Sequence, residues 1–424
     1  MENNIYILIL ISLFYTACHD EGDLQNTSPD SFTLIGVTNG AVDVSLLPSF
    51  SWNAAIDMED DEIIYSLILD KEPAPMTVVA DNIEDTNYDL ERRLSMHTVY
   101  YWKVIAEDEA GNMTESEIYS FRTRGLNFPP YVAINAPFSD RGDHASVVFD
   151  NKIWIIGGYK TNTGSTNDVW SSHDGVNWTQ VTPNASFSKR SAHQVVVYND
   201  KMWLIGGNQQ LGITYNGDIW SSLDGITWTL EVERAPFNPF NRRAHHKVVV
   251  FNDKMWLIGG VNSFPLNDIW SSSDGVNWTQ IDANAPFSAR WGHTVTVFDN
   301  KLWVISGYRY NPEGADIWHS SDGITWTEST SVAPFSKRDR HTTVVFDNKM
   351  WVMGGLDPDP DFDPFTYSSV FHDDIWYSSD GINWDLDDDY TPFSKRFSHT
   401  VVSFNDKLWL IGGQGTGGYL NDIW

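Results

Sequence analysis

The sequence predicts an all-β protein, a small β-sandwich followed by a six-bladed β-propeller that an N-terminal outer strand closes. Three observations carry the prediction. Lys-x-Trp-x-(Ile/Met)-(Gly/Ser)-Gly recurs with its tryptophan at Trp154, Trp203, Trp256, Trp303, Trp351 and Trp409, a period near 50 residues. Each copy contains β-type runs joined by Asn-Asp, Asp-Asn or Asp-Gly, residues that tolerate the positive φ of tight hairpins. The stretch before the repeats alternates short β-type runs with turn residues and lacks helical periodicity.

Composition sets the outer bounds. The chain has 424 residues, 41% hydrophobic and 20% charged, the balance of a folded chain rather than a disordered one. Its 20 tryptophans fit a repeated unit that uses one or two per copy. Lys+Arg total 27 and Asp+Glu 57, a net charge of −30. That field repels phosphate backbones and excludes nucleic-acid binding as the main role. A single cysteine excludes an intramolecular disulfide and a cysteine-based zinc cluster.

Residues 1–17 read as a signal peptide. Ile5 to Tyr15 is an apolar run too short to span a bilayer and suited to the core of an export signal. Thr16, Ala17 and the only cysteine, Cys18, come next. The arrangement resembles a bacterial lipoprotein signal, in which the cysteine becomes the acylated N-terminus. His19-Asp20-Glu21-Gly22-Asp23 resembles the acidic tract of Bacteroidetes-type surface lipoproteins. Residues 18–27 are therefore an acidic tether. The resemblance implies an exported protein held at the outer membrane through lipid on Cys18, exposed at the cell surface, with that lipid as its sole membrane contact.

Residues 28–125 form the predicted sandwich. Thr98 to Ala106 (TVYYWKVIA) carries apolar residues on both faces, as a central strand does. Trp52, the run YYWKVIAEDEAGN and Tyr119 to Thr123 (YSFRT) resemble a fibronectin type III domain, which implies a spacer without chemistry. Trp52 and Trp102 are expected in its core.

Residues 126–424 hold the repeats. In the third copy the expected strands are 247–251 (a), 255–258 (b), 268–271 (c) and 276–279 (d), with two-residue links at Asn252-Asp253 and Asp274-Gly275. Asp-(Ile/Val)-Trp and Arg-x-x-His recur in every copy, the latter as Arg141/His144, Arg190/His193, Arg243/His246, Arg290/His293, Arg338/His341 and Arg396/His399. The period and the Gly-Gly pair resemble kelch repeats. The chain ends at Trp424 after strand c of the sixth copy, while Tyr131 to Ser139 aligns with a strand d and its adjoining loop. That segment is expected to complete the sixth blade.

Candidate functional residues sit on one face. The a–b and c–d turns are uniform, whereas the b–c loops vary, and recognition resides in variable loops on a rigid frame. The six Arg-x-x-His pairs read as structural, because an asymmetric ligand needs asymmetric residues. Departures from the repeat are better candidates: Arg242, His245, Trp291, Asp339 and Arg340 at the channel mouth. Exposed aromatic residues that could stack on sugar rings are Tyr308, Tyr310, Phe362, Phe365, Tyr367 and Tyr419. In the fifth repeat Asp357, Asp359, Asp361 and Asp363 alternate, and Asp385, Asp387, Asp388 and Asp389 lie on the same face. Their oxygen density suits Ca2+, the one cofactor these residues suggest.

No catalytic signature is present. The Ser-Ser-Asp-Gly-x-x-Trp turns resemble sialidase Asp-boxes, which are structural, and a Tyr–Cys copper site is excluded because the only cysteine lies in the signal. The reading is a non-catalytic surface module that binds glycan or a partner protein. The alternative is a sugar-modifying enzyme such as a kelch-type sialic acid mutarotase, which needs only acid and base side chains in a propeller mouth.

Overall fold

The computed structural model describes residues 26–126, 132–133, 135–161, 163–209, 214–236, 242–309, 314–357, 370–387 and 391–424. The described residues are strand and loop, with no helix among them. The chain divides into two units, Met1–Arg124 and Gly125–Trp424.

The first unit contains β1 (Ala41–Val44), β2 (Ser49–Ser51), β3 (Ile64–Asp70), β4 (Val78–Ile83), β5 (Asn87–Asp89), β6 (Val99–Glu107), β7 (Met113–Glu115) and β8 (Tyr119–Thr123). One sheet runs β1-β8-β6-β3-β4, with β7 on β6; β2 and β5 pair separately. β6 is the central strand, as its sequence suggests. Its faces are unequal, however: Tyr100, Trp102, Val104 and Ala106 are buried, while Tyr101, Lys103 and Ile105 are half-covered. The buried face meets Phe50 and Trp52 from the β2 segment, Tyr65 and Leu67 from β3, and Phe121 from β8. Trp52 and Trp102 are 1% and 0% exposed, so both are core residues.

The second unit is built from antiparallel four-stranded sheets. The third repeat is ordered Lys247–Phe251, Lys254–Asn262, Phe264–Ser272, Thr279–Asp282. Asn252 and Asp253 have φ of 48° and 54°, the two left-handed residues that a type I′ hairpin needs. The c–d link differs from the expected two-residue turn. Strand d begins at Thr279, and residues 273–278 form a loop in which Asp274 Oδ1 accepts the N–H groups of Val276 (2.9 Å) and Asn277 (2.7 Å). Trp278 turns inward and donates to the Gly275 carbonyl at 3.0 Å, which delays the strand.

In the last sheet Thr400–Phe404, Lys407–Gly415 and Gly418–Ile423 are consecutive. Beyond them lies the start of the unit: Val132 N–H donates to the Ile423 carbonyl at 3.0 Å, and Ile423 N–H to the Ala133 carbonyl at 2.8 Å. The first strands of successive repeats, Ala145–Phe149, Gln194–Tyr198, Lys247–Phe251, Thr294–Phe298, Thr342–Phe346 and Thr400–Phe404, pack in sequence, and the last packs on the first.

One motif locks neighbouring repeats, and a second ties each repeat to itself. The Trp of Lys-x-Trp donates its indole N–H to the end of its own first strand, as Trp203 does to Tyr198 at 3.0 Å. The next repeat's Asp-Gly turn then lies flat on that ring; a Cβ at Gly275 would overlap Trp203, and one at Gly175 would overlap Trp409, which joins the first repeat to the last. Arg-x-x-His and Asp-(Ile/Val)-Trp are the second pair. Arg243 donates to both oxygens of Asp268 (2.8 and 2.7 Å) and to the Gly259 carbonyl (2.9 Å), and Trp270 Nε1 donates to Asp268 at 2.7 Å. Arg141, Arg190, Arg290, Arg338 and Arg396 make the same fork to Asp168, Asp218, Asp316, Asp374 and Asp422. All six guanidinium groups are fully buried. A bidentate charge pair with a third and fourth hydrogen bond is the geometry in which a buried ion pair is tolerated.

Candidate functional site

Between the arginine and histidine of each Arg-x-x-His motif the chain makes one tight reversal. The second x residue is left-handed in every repeat: Asp143, Ala192, His245, Gly292, Arg340 and Ser398 have φ of 52°, 53°, 51°, 63°, 50° and 55°. Each donates its N–H to the carbonyl of the equivalent residue in the preceding repeat. The sequence Asp143→Ser398 (3.0 Å), Ala192→Asp143 (2.8 Å), His245→Ala192 (2.9 Å), Gly292→His245 (3.2 Å), Arg340→Gly292 (2.7 Å) and Ser398→Arg340 (2.9 Å) returns to its start. A hydrogen-bonded annulus thus threads all six repeats. Holding a non-glycine residue left-handed costs on the order of 1 kcal/mol, and such strain concentrates at functional sites.

The annulus rims a cavity of about 200 Å³ bounded by residues from all six repeats. Below the rim it is lined by four of the Arg-x-x-His histidines, His144, His193, His341 and His399, and by the first strands after the motifs, including Lys247. Chemistry gathers at the rim. Ser398 Oγ donates to Asp143 Oδ1 at 2.6 Å, and His245 Nδ1 stands 4.0 Å from that oxygen. Burial, partly opposed by Asp143, pushes the His245 imidazole down to about 4, so it is neutral near pH 7. Burial likewise lowers Lys247 to about 8. Arg340 donates through Nε to Asp339 Oδ1 at 2.9 Å. Burial disfavours the arginine's charge, but Asp339 and Asp143 outweigh it and hold its pKa above the usual value. Asp339 is itself buried and raised, because desolvation exceeds what Arg340 returns.

An aromatic group lies beside the rim. Trp291 stands between His245 (ring centroids 5.1 Å) and Tyr308 (5.1 Å). The Arg340 guanidinium lies 5.4 Å from the Trp291 ring and 4.5 Å from Phe397. The rim therefore offers a fixed cation, a carboxylate and a neutral imidazole to one small cavity, with a flat indole stacked beside the imidazole and the cation.

The structure brings together His245, Trp291, Tyr308, Asp339 and Arg340, all expected from the sequence. Tyr419 packs on Tyr159 at 5.6 Å and against Gly142, on the opposite flank. Arg242 is not at the mouth. The next residue, Arg243, is the buried strut, and Arg242 is exposed and lines a separate cleft of about 540 Å³ with Tyr215, Asn216 and Arg234. In the fifth repeat Asp357 lies 3.9 Å from Lys337, Asp385 is exposed and Asp387 is 5% exposed. Cys18, Tyr310, Phe362, Phe365, Tyr367, Asp359, Asp361, Asp363, Asp388 and Asp389 lie outside the described residues. Sequence reasoning missed Asp143, Ser398 and Lys247. The first two occupy the slot of His245 and Arg340, so comparing that one slot across six repeats would have found them.

Among known proteins, residues 106–307 match a family model described as the KLHDC2/KLHL20/DRC7 Kelch-repeats domain. No curated protein matches the chain. A solved structure titled "Structure of YjhT" superposes with a TM-score of 0.55 at 15% identity, covering 69% of this chain and 96% of that one. At that identity the likeness is one of fold, a kelch-repeat β-propeller.

Proposed function

We propose that the chain is an exported lipoprotein, anchored through Cys18, whose propeller binds a glycan, free or carried by a surface partner protein, at the axial mouth. The propeller in this reading has six blades, the last completed by the segment at Val132, and a fibronectin type III-like sandwich precedes it. One observation carries the binding assignment. The Arg–Asp fork recurs in all six repeats and the Asp-Gly turn on a neighbour's Trp ring in five, whereas the annulus slot holds Asp143, Ala192, His245, Gly292, Arg340 and Ser398, no two alike. A sugar lacks six-fold symmetry, so only the unlike residues can discriminate it. Trp291 supplies the stacking face, Arg340 a fixed charge-assisted donor, and Asp143 an acceptor for hydroxyl groups. With a net charge of −30, a cation held at the rim favours a ligand bearing a carboxylate. A glycan array probed with the purified chain tests this. We expect hits among acidic sugars that Trp291→Ala removes; an array without hits, or hits indifferent to that variant, contradicts it.

A second reading rests on the neutral His245 and the lowered Lys247. Opening a hemiacetal ring needs a base at the anomeric hydroxyl and an acid at the ring oxygen, and these two groups face one cavity in opposite protonation states. Exchange spectroscopy of anomer interconversion decides it: enhanced exchange that His245→Gln abolishes supports the enzyme, and unchanged exchange removes it.

A further inference from the structure

A second chemical cluster lies in the first unit, where neither the axial mouth nor the fifth-repeat acidic loop is involved. Asp57 and Asp61 sit in the loop before β3, and Asp108 begins the β6–β7 turn. Each offers a carboxylate oxygen, and the three oxygens lie within 4.8 Å of one another. Oxygen ligands on one calcium ion, at about 2.3–2.6 Å each, can be no farther apart than about 5 Å, so the three fit a single ion.

Acidic residues close together prove little alone, but two buried oxygen atoms without partners among the described residues, one of them on a neighbouring amide, point to a ligand. Asp57 is 9% exposed, and its Oδ2 is buried without a hydrogen-bond partner among the described residues. Its Oδ1 is already used, accepting from the N–H groups of Glu59 (2.9 Å) and Asp61 (3.2 Å). Asn26 donates Nδ2 to Asp108 Oδ2 at 3.3 Å, and its Oδ1 is likewise buried without a partner among the described residues. A buried polar oxygen left unpaired costs about 1–3 kcal/mol, and here one carboxylate and one amide oxygen are both in that state.

We propose that Asp57, Asp61 and Asp108, completed by the amide oxygen of Asn26, bind a calcium ion. Three carboxylates and an amide oxygen, with no histidine or cysteine, form a hard-donor set, and irregular loop geometry suits calcium better than the strict octahedron of magnesium. The ion would join three segments: the loop preceding β3, the β6–β7 turn, and the chain near Asn26, which already hydrogen-bonds through Asp30 N–H to the Ile56 carbonyl at 2.7 Å. Calcium would thereby stiffen the point where the predicted tether enters the β-domain.

Calorimetric unfolding of the full chain tests the site, with EDTA, CaCl2 or MgCl2 added. We expect millimolar calcium to raise one unfolding transition by roughly 5 °C, and magnesium to raise it far less. Asp61 is half-exposed, so Asp61→Asn should fold. In EDTA it melts no lower than the wild type, since a repelling charge is gone, while its calcium response is lost. Asp57→Asn behaves alike, and Asp359→Asn/Asp361→Asn in the fifth repeat responds as the wild type does. No calcium rise in the wild type, an undiminished rise in Asp61→Asn, a rise abolished only by the fifth-repeat variant, or an equal rise with magnesium would each overturn the assignment.

Discussion

Within one four-residue motif the propeller keeps two opposite kinds of residue. The outer pair of Arg-x-x-His is the same in all six repeats and fully packed: the arginine holds the Asp of Asp-x-Trp in its own repeat, and the histidine lies between a glycine of its own repeat and one of the preceding repeat, as His246 does between Gly260 and Gly206. The residue before the histidine is strained, set at the rim and different each time. The outer pair determines how blades join, so any change there acts on folding. The inner residue keeps only its backbone conformation in common, which leaves its side chain free to specify a ligand. Under the proposed function, stability and recognition would be separable at a spacing of one residue.

Four measurements sharpen or break that separation. The largest effect is pH-dependent. Burial keeps the six motif histidines neutral, with His193 and His399 at about 3 and the others also lowered. An unfolded histidine takes a proton near pH 6.5. Below that pH the unfolded chain binds protons the native one refuses, so stability falls with acidification until the native pKa is reached. Each histidine contributes about 1.4 kcal/mol per pH unit in that window. The lowered pKa of Asp218, Asp316 and Asp374 adds a loss at still lower pH, where those carboxylates protonate. Melting curves should fall steeply between pH 6 and 4; a flat profile to pH 4 contradicts the packing of the histidines.

Next is Arg243→Met. It leaves Asp268 buried with the Trp270 indole as its remaining side-chain donor among the described residues, at a cost of about 3–5 kcal/mol, read as a lowered denaturation midpoint. Gly225→Ala is third, since its Cβ would overlap the Trp154 ring at φ of 72°; we expect a loss of about 2–3 kcal/mol at this blade junction. The smallest stability effect belongs to Arg340→Ala. Its guanidinium is half-exposed, although Asp339 loses a partner, and a change near 1 kcal/mol is expected. A loss there as large as for Arg243→Met would erase the distinction between girdle and rim.

Much of this was legible in the sequence for identifiable reasons. The Asn-Asp turns, the Trp and Gly-Gly periodicity and the central run of β6 are local patterns whose geometry follows from φ preferences and alternation. Asp274-Gly275 misled, because an Asp that caps the next N–H groups extends the loop instead of closing a two-residue hairpin. Arg242 misled because exposure of one arginine beside a buried one depends on which reaches its aspartate, about 25 residues away in the chain. Asp143 escaped because it is not unusual in its own repeat and reaches His245 only through the stacking of successive repeats, and Lys247 because the burial of its side chain in the cavity is not a local pattern.

The central claim is that ligand is read at the unlike residues of the annulus. Titration calorimetry with the strongest array ligand on wild type, Arg340→Ala and Arg242→Ala tests it most directly. Loss of the charge-assisted contact predicts at least a tenfold weaker Kd for Arg340→Ala, about 1.4 kcal/mol or more, with Arg242→Ala binding as the wild type does. Wild-type affinity in Arg340→Ala together with weakened binding in Arg242→Ala would move recognition to the outer cleft and contradict the account.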